Sequence, residues 1–214
     1  MKPHELPYEP IPPKNKHPLY AVIALVVAIA LFVLSVEGYF WLIRPEPGLV
    51  PALADIQSFL PQNPGQPFLF YKPDDVRRMV ADTQDAIKLV ANFIAAQSCS
   101  KADSVCQSKA LFYFVRDNIQ YVADAQFHDR LENPLITLKT GGADCEDMAV
   151  LLGALEKAIG NDARLVFIPG HAYIQVRVPD YRNKWYSLEV TCKTCKWNQV
   201  PDENALQKKT FEEL

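Results

Sequence analysis

Three side chains of this sequence have the types and placement for nucleophilic catalysis: Cys145, His171 and Glu189. Cys145 follows Asp144, a residue type suited to cap a helix, and precedes apolar residues at helical spacing (Met148, Leu151, Leu152, Leu155 and Ile159). A thiol in the first turn of a helix meets free backbone N–H groups and the positive end of the helix dipole, and both favour thiolate. Its pKa is therefore expected below the ~8.5 of free cysteine, with Asp144, Glu146 and Asp147 opposing. His171 opens a strand just after the Pro169-Gly170 break, and Glu189 lies on the next strand. An imidazole there can take the thiol proton, and the carboxylate can fix its tautomer, which is the nucleophile, base and orienter logic of a Cys-His-acid site. Taken singly, each residue has a plain structural reading: a small buried Cys, a satisfied His, a charge on a solvent face. The ordered trio carries the functional one.

The elements that must position these groups follow from periodicity. Asp74–Gln97 reads as one amphipathic helix, with Val76, Met79, Val80, Thr83, Ile87, Val90 and Ile94 on its inner face. A second helix is expected over Lys109–Asn118, and Ile119–Thr140 reads as mostly loop. The third starts at Asp144, where Asp147 completes a capping-box-like pair, and stops at Gly160. The period then changes from 3.6 to 2. Arg164–Ile168, His171–Val178 and Trp185–Thr191 read as strands, the last two as an antiparallel hairpin centred near Asp180–Tyr181, which makes residues 171 and 189 cross-strand neighbours. Helices followed by strands imply an α+β fold.

Three segments carry a resemblance. Gly141-Gly142-Ala143-Asp144-Cys145-Glu146-Asp147, Gly170-His171-Ala172-Tyr173-Ile174-Gln175-Val176 and Trp185-Tyr186-Ser187-Leu188-Glu189-Val190-Thr191 resemble, in order, the cysteine box, the histidine strand and the W-x-x-L-D-x-T segment of the transglutaminase-like, papain-related superfamily. Phe114-Val115, Ile119-Gln120-Tyr121 and Thr137-Leu138 are in keeping with it, so the likeness covers roughly Lys109–Thr191. The resemblance implies a papain/transglutaminase-like core and amide cleavage or exchange through a Cys145 thioester, with His171 as base and Glu189 as third member. The pattern departs in two places: Ala143 stands for the usual Gly and Glu189 for the usual Asp. No Trp lies between Trp41 and Trp185 to act as the oxyanion donor of some relatives, which leaves the Cys145 backbone N–H, with Tyr121 or Gln120 as the second donor.

The rest of the chain has a different character. Of the 17 Pro, 13 fall in the first 73 residues. Residues 1–18 are a Pro-rich tail. Leu19–Val36 is free of charge, and residues 19–43 reach the ~20 apolar residues of a membrane span, with Tyr39 and Trp41 at the far boundary. A cleaved signal peptide would have a shorter apolar run and a small-x-small site, unlike Leu34-Ser35-Val36-Glu37. Lys2, Lys14 and Lys16 before the span, against Arg44 closely after it, place the N-terminus in the cytoplasm and the domain outside. Residues 44–73 read as a Pro-rich linker, 74–201 as the domain and 202–214 as a C-terminal tail.

A net charge of −3 disfavours a nucleic-acid partner. Of five Cys, the close pairs Cys99/Cys106 and Cys192/Cys195 suit disulfides in an oxidising compartment, leaving Cys145 free. A zinc site from those four and unpaired thiols are the competing readings. No metal or cofactor is expected. The sequence thus points to a single-pass, extracytoplasmic cysteine peptidase or acyltransferase acting on protein or peptide substrates. An inactive transglutaminase-like binding module and a metal-stabilised surface module are the alternatives.

Overall fold

The computed structural model describes residues 17–42, 46–69, 72–124, 130–179, 181 and 183–214. It has two compact units, Met1–Arg44 and Pro45–Leu214. The first contains helix α1, His17–Leu42, of 26 residues. Its large apolar side chains from Leu19 to Leu34 are all at least 50% exposed. Among the described residues no helix is long and apolar enough to cross a membrane.

The second unit contains α2 (Leu53–Ile56), β1 (Phe68–Leu69), α3 (Pro73–Asp82), α4 (Gln84–Ser98), α5 (Ser104–Asn118), β2 (Gln120–Tyr121), β3 (Arg130–Leu131), α6 (Pro134–Thr140) and β4 (Gly142–Ala143). It continues through α7 (Cys145–Ala158), β5 (Asp162–Ile168), β6 (His171–Arg177), β7 (Trp185–Leu188), α8 (Asp202–Ala205) and β8 (Thr210–Glu213). The main sheet is antiparallel, in the order β7-β6-β5-β8. Helix α7 packs on β5 and β6, and α4 and α5 pack on α7. The core between them buries Leu111, Phe112, Phe114, Met148, Leu151 and Ile174. The fold is α+β, with helices packed on an antiparallel sheet.

Several boundaries differ from the sequence reading. The helix expected over Asp74–Gln97 is broken in two at Thr83, whose ψ is −1°. The buried Thr83 hydroxyl donates to the Met79 carbonyl at 2.9 Å and the Val80 carbonyl at 3.2 Å, the local back-bonding that bends helices. Helix α5 starts five residues earlier than expected, because Asp103 caps it by accepting the Cys106 N–H at 2.8 Å. The stretch read as loop contains β2, β3 and α6. Asn133 caps α6, Pro134 occupies its first turn and Gly141 ends it at φ +73°. The residues assigned to a linker and a C-terminal tail are built into the second unit: 68–69 pair with β3, and 210–213 form the β8 edge of the main sheet.

Gly141 leads directly into the cysteine segment. A Cβ there would lie 2.9 Å from Leu53 Cδ2, at a φ that L-residues rarely adopt. Gly141→Ala is expected to cost about 1–2 kcal/mol in urea unfolding, and an unchanged midpoint would refute that reading.

Candidate active site

Cys145 is the first residue of α7 and is 7% exposed. Asp144 caps the helix, accepting the Asp147 N–H at 3.1 Å. The Asp147 carboxylate also accepts the Glu132 N–H at 2.6 Å, tying the helix start to the segment before α6. Asp147 is buried, and its pKa is pushed up to about 8 by that burial and by the charge of Asp144.

His171 is fixed by the turn before it. Pro169 and Gly170 (φ +70°) form a two-residue connection, and Ile168 pairs with His171 across it. The β6–β7 register pairs Ile174 with Leu188 and Gln175 with Ser187. Extended by one residue, it puts Glu189 opposite Tyr173, so Glu189 is diagonal to His171 on the same face rather than directly across. Asp180, in the expected hairpin centre, lies outside the described residues. Across that diagonal, His171 Nε2 and Glu189 Oε2 are 2.7 Å apart. Glu189 is fully buried, and its other oxygen accepts the Thr191 N–H at 3.1 Å and the Thr191 hydroxyl at 2.6 Å. Burial lowers the His171 pKa, but the hydrogen bond and charge of Glu189, helped by Glu146, outweigh it and raise the ring above its ordinary value.

The thiol departs from expectation. Its pKa is not lowered but pushed up to about 12. Burial is the largest cause, followed by the hydrogen bond and charge of Glu146; the Ala172 backbone N–H opposes, and Asp144 adds to the rise. The Cys145 sulfur donates to Glu146 Oε2 at 2.9 Å, not to the His171 ring. Strand β6 nonetheless approaches the sulfur through Ala172, the residue after His171, and Glu146 acts on both the thiol and the imidazole. The helix terminus, a partial charge, is outweighed first by burial of the sulfur and then by the Glu146 carboxylate in contact with it.

Of the two oxyanion candidates, the structure brings one close. Strand β2 pairs in parallel with β4, Tyr121 against Ala143, and the Val122 N–H donates to the Ala143 carbonyl at 2.8 Å. Tyr121 is 46% exposed, and its hydroxyl pKa is raised by burial and then by Cys145, Asp144 and Glu146. Gln120 is exposed, and its backbone pairs with Gly141 and Gly142. Beside these residues is a cleft of about 800 Å³, lined by Val122, Ala123, Glu132, Gly142, Ala143 and Asp144 among others.

The four paired cysteines form the disulfides Cys99–Cys106 and Cys192–Cys195, and Cys145 is free and buried. With their sulfurs joined, those four are not thiolate ligands for zinc. Among the described residues no three His, Cys, Asp or Glu side chains are grouped to hold a metal ion. Sequence reasoning missed two participants, Thr191 as the support of Glu189 and Glu146 as the thiol's partner. Thr191 was present in the third motif; Glu146 was seen only as an opposing charge.

Residues 91–190, which hold every residue of this site except Thr191, match the family model of the transglutaminase-like superfamily. This segment belongs to that superfamily. No curated protein matches the chain. Among solved structures, the chain is similar to a provisionally assigned cysteine protease from Cytophaga hutchinsonii (17% identity, 55% of this chain and 42% of that one, TM-score 0.40). It is also similar to a provisionally assigned protease from Parabacteroides distasonis (10% identity, 54% and 25%, TM-score 0.43). A third is calcium-bound LapG from Legionella pneumophila (17% identity, 74% and 82%, TM-score 0.42). The chain spans less than half the length of the first two of these.

Proposed function

We propose that this chain is a membrane-anchored cysteine hydrolase that cleaves amide bonds of protein or peptide substrates outside the cytoplasm. The observation that carries the reading is the 2.7 Å pair of His171 and the buried Glu189, at the head of the strand whose next residue reaches the Cys145 sulfur. Because Nε2 is committed to Glu189, the other ring nitrogen, Nδ1, is the one available to the thiol.

In the proposed cycle the Cys145 proton passes to His171 Nδ1, and the sulfur attacks the substrate carbonyl carbon. The Cys145 N–H, in the first helical turn where such groups lack an intrahelical acceptor, stabilises the oxyanion with Tyr121. The C–N bond breaks as His171 returns its proton to the leaving amine. His171 then takes a proton from water as the water attacks the thioester, giving a carboxylic acid and the free thiol. The anchor reading rests on the apolar run 19–43, and the extracytoplasmic placement on the lysine asymmetry around it together with the two disulfides.

The alternative, an inactive binding module, is favoured by one observation, the thiol held up at about 12. Mass spectrometry of a peptide library incubated with wild type, Cys145→Ala and His171→Ala separates the two. The hydrolase reading expects cleavage by the wild type alone, with loss of at least about 10³-fold in each variant. Equal product from all three, or from none, would favour the binding module.

A further inference from the structure

Glu146 is the feature that the proposed chemistry leaves unused. It lies in the first turn of α7, where a carboxylate is favoured by the helix dipole without any further contact. It is only partly buried, so its charge could be hydrated. Instead its carboxylate turns back onto the preceding residue and accepts the thiol of Cys145 at 2.9 Å. The thiol has one hydrogen, so a proton directed at Glu146 is not directed at His171.

Resting on the hydrolase reading above, we propose that Glu146 is the latch of the nucleophile. In the resting enzyme its carboxylate holds the S–H proton away from His171, and the active state requires it to leave the sulfur. No proton is lost in the latch itself. The hydrogen stays on sulfur until the carboxylate withdraws, then passes to His171 Nδ1, which gives the thiolate–imidazolium pair. The same carboxylate acts in opposite senses on the two partners, disfavouring negative charge on sulfur and favouring positive charge on the imidazole. Other groups that act on the sulfur or the ring are Asp144 at the cap of α7, Tyr121 on β2 and Glu189 beyond β7. Of these, Glu146 is the one whose side chain is hydrogen-bonded to the sulfur.

The test is the rate at which iodoacetamide alkylates Cys145 in the full chain, followed by intact mass across a pH series. The two disulfides leave this as the single free thiol. Wild type is expected to react slowly near neutral pH and to accelerate into the alkaline range without a plateau. Glu146→Gln removes the charge, and its profile is expected to move at least one pH unit lower, making it about tenfold faster near neutrality. Glu146→Asp keeps the charge but is one methylene too short to hold the contact. It is expected to fall between the two, and it carries the test should the glutamine variant not fold. Profiles of both variants superimposed on wild type, or shifted upward, would overturn the latch. Peptide hydrolysis with and without His171→Ala reports separately on the underlying reading. If wild type cleaves and the histidine variant does not, an unshifted Glu146→Gln profile sinks the latch alone. If neither wild type nor Glu146→Gln cleaves while Glu146→Gln is alkylated faster, the latch stands as a property of the thiol and the hydrolase reading falls.

Discussion

Glu189→Gln is expected to lower kcat for peptide hydrolysis by about 10³–10⁴-fold with little change in KM, on the precedent of a serine protease triad forced into the wrong tautomer. The loss follows from donor and acceptor arithmetic. One oxygen of Glu189 accepts two hydrogen bonds from Thr191, from its N–H and its hydroxyl, and the other faces His171 Nε2. A glutamine in the same place must keep its carbonyl toward the two Thr191 donors. Its NH₂ then faces Nε2, which has to become an acceptor, so the ring proton moves to Nδ1. A ring with Nδ1 already protonated cannot take the Cys145 proton. The side chain hardly changes volume, so a thermal melt close to wild type is expected. Retention of activity within tenfold would remove Glu189 from the site. Glu189→Asp tests the geometry rather than the charge. The residue is diagonal to His171, and the extra methylene spans that diagonal. Shortening it should misplace the imidazole by about 1 Å and cost about 10²-fold, although aspartate is the family's usual residue. An aspartate variant as active as wild type would show that the departure from the family pattern is incidental.

The two ends of the site were legible because local chemistry fixes them. Asp144 and the apolar stripe behind it set the start of α7, and Pro169-Gly170 set the start of β6; both signals lie within a few residues of the group they position. The same holds for the disulfides, whose partners are neighbours in sequence. Relations between distant segments were not legible in that way. The two-residue offset that pairs Glu189 with Tyr173 and makes it diagonal to His171 depends on the strand register, which the expected hairpin centre placed slightly wrong. Thr83 was read as part of an apolar stripe, which it is, while its hydroxyl breaks the helix. The Asn133-Pro134 start and Gly141 stop of α6 are sequence signals that could have been read. Strand β8 could not, because Thr210–Glu213 alternates little in exposure and is held on β5 by backbone pairing and by Arg164, which lies over the Phe211 ring and beside Glu213. The largest miss, the direction of the Cys145 shift, came from weighing a helix terminus against nearby charges alone, when burial of the sulfur, which only the fold supplies, is the leading cause and Glu146 the next.

Glu156→Gln is expected to stabilise the protein at about pH 8 by up to about 3 kcal/mol while changing little at about pH 5. Glu156 is fully buried on α7. It accepts the Ser108 hydroxyl of α5 at 2.7 Å and the Asn161 side-chain NH₂ at 2.6 Å, and Trp197 Nε1 donates to Ser108 at 2.9 Å. One carboxyl thus joins two helices, the approach to β5 and the C-terminal segment. Burial pushes its pKa up to about 7, although both hydrogen bonds favour the ion. The sign follows from proton counting. Between the ordinary glutamate value and 7 the folded chain holds this proton and the unfolded chain has released it, so stability falls as pH rises. It is full below that window and lost above it. Asp147, raised to about 8, adds a slope of the same sign that extends higher, so the informative quantity is the difference between wild type and variant. Glutamine keeps the network, its carbonyl accepting from Asn161 and its NH₂ donating to Ser108, but it has no proton to lose. Urea unfolding of both proteins from about pH 5 to about pH 8 should give curves that converge at the acid end and separate toward neutrality. Parallel curves would mean that Glu156 is ionised throughout and that Ser108 and Asn161 fully compensate its burial.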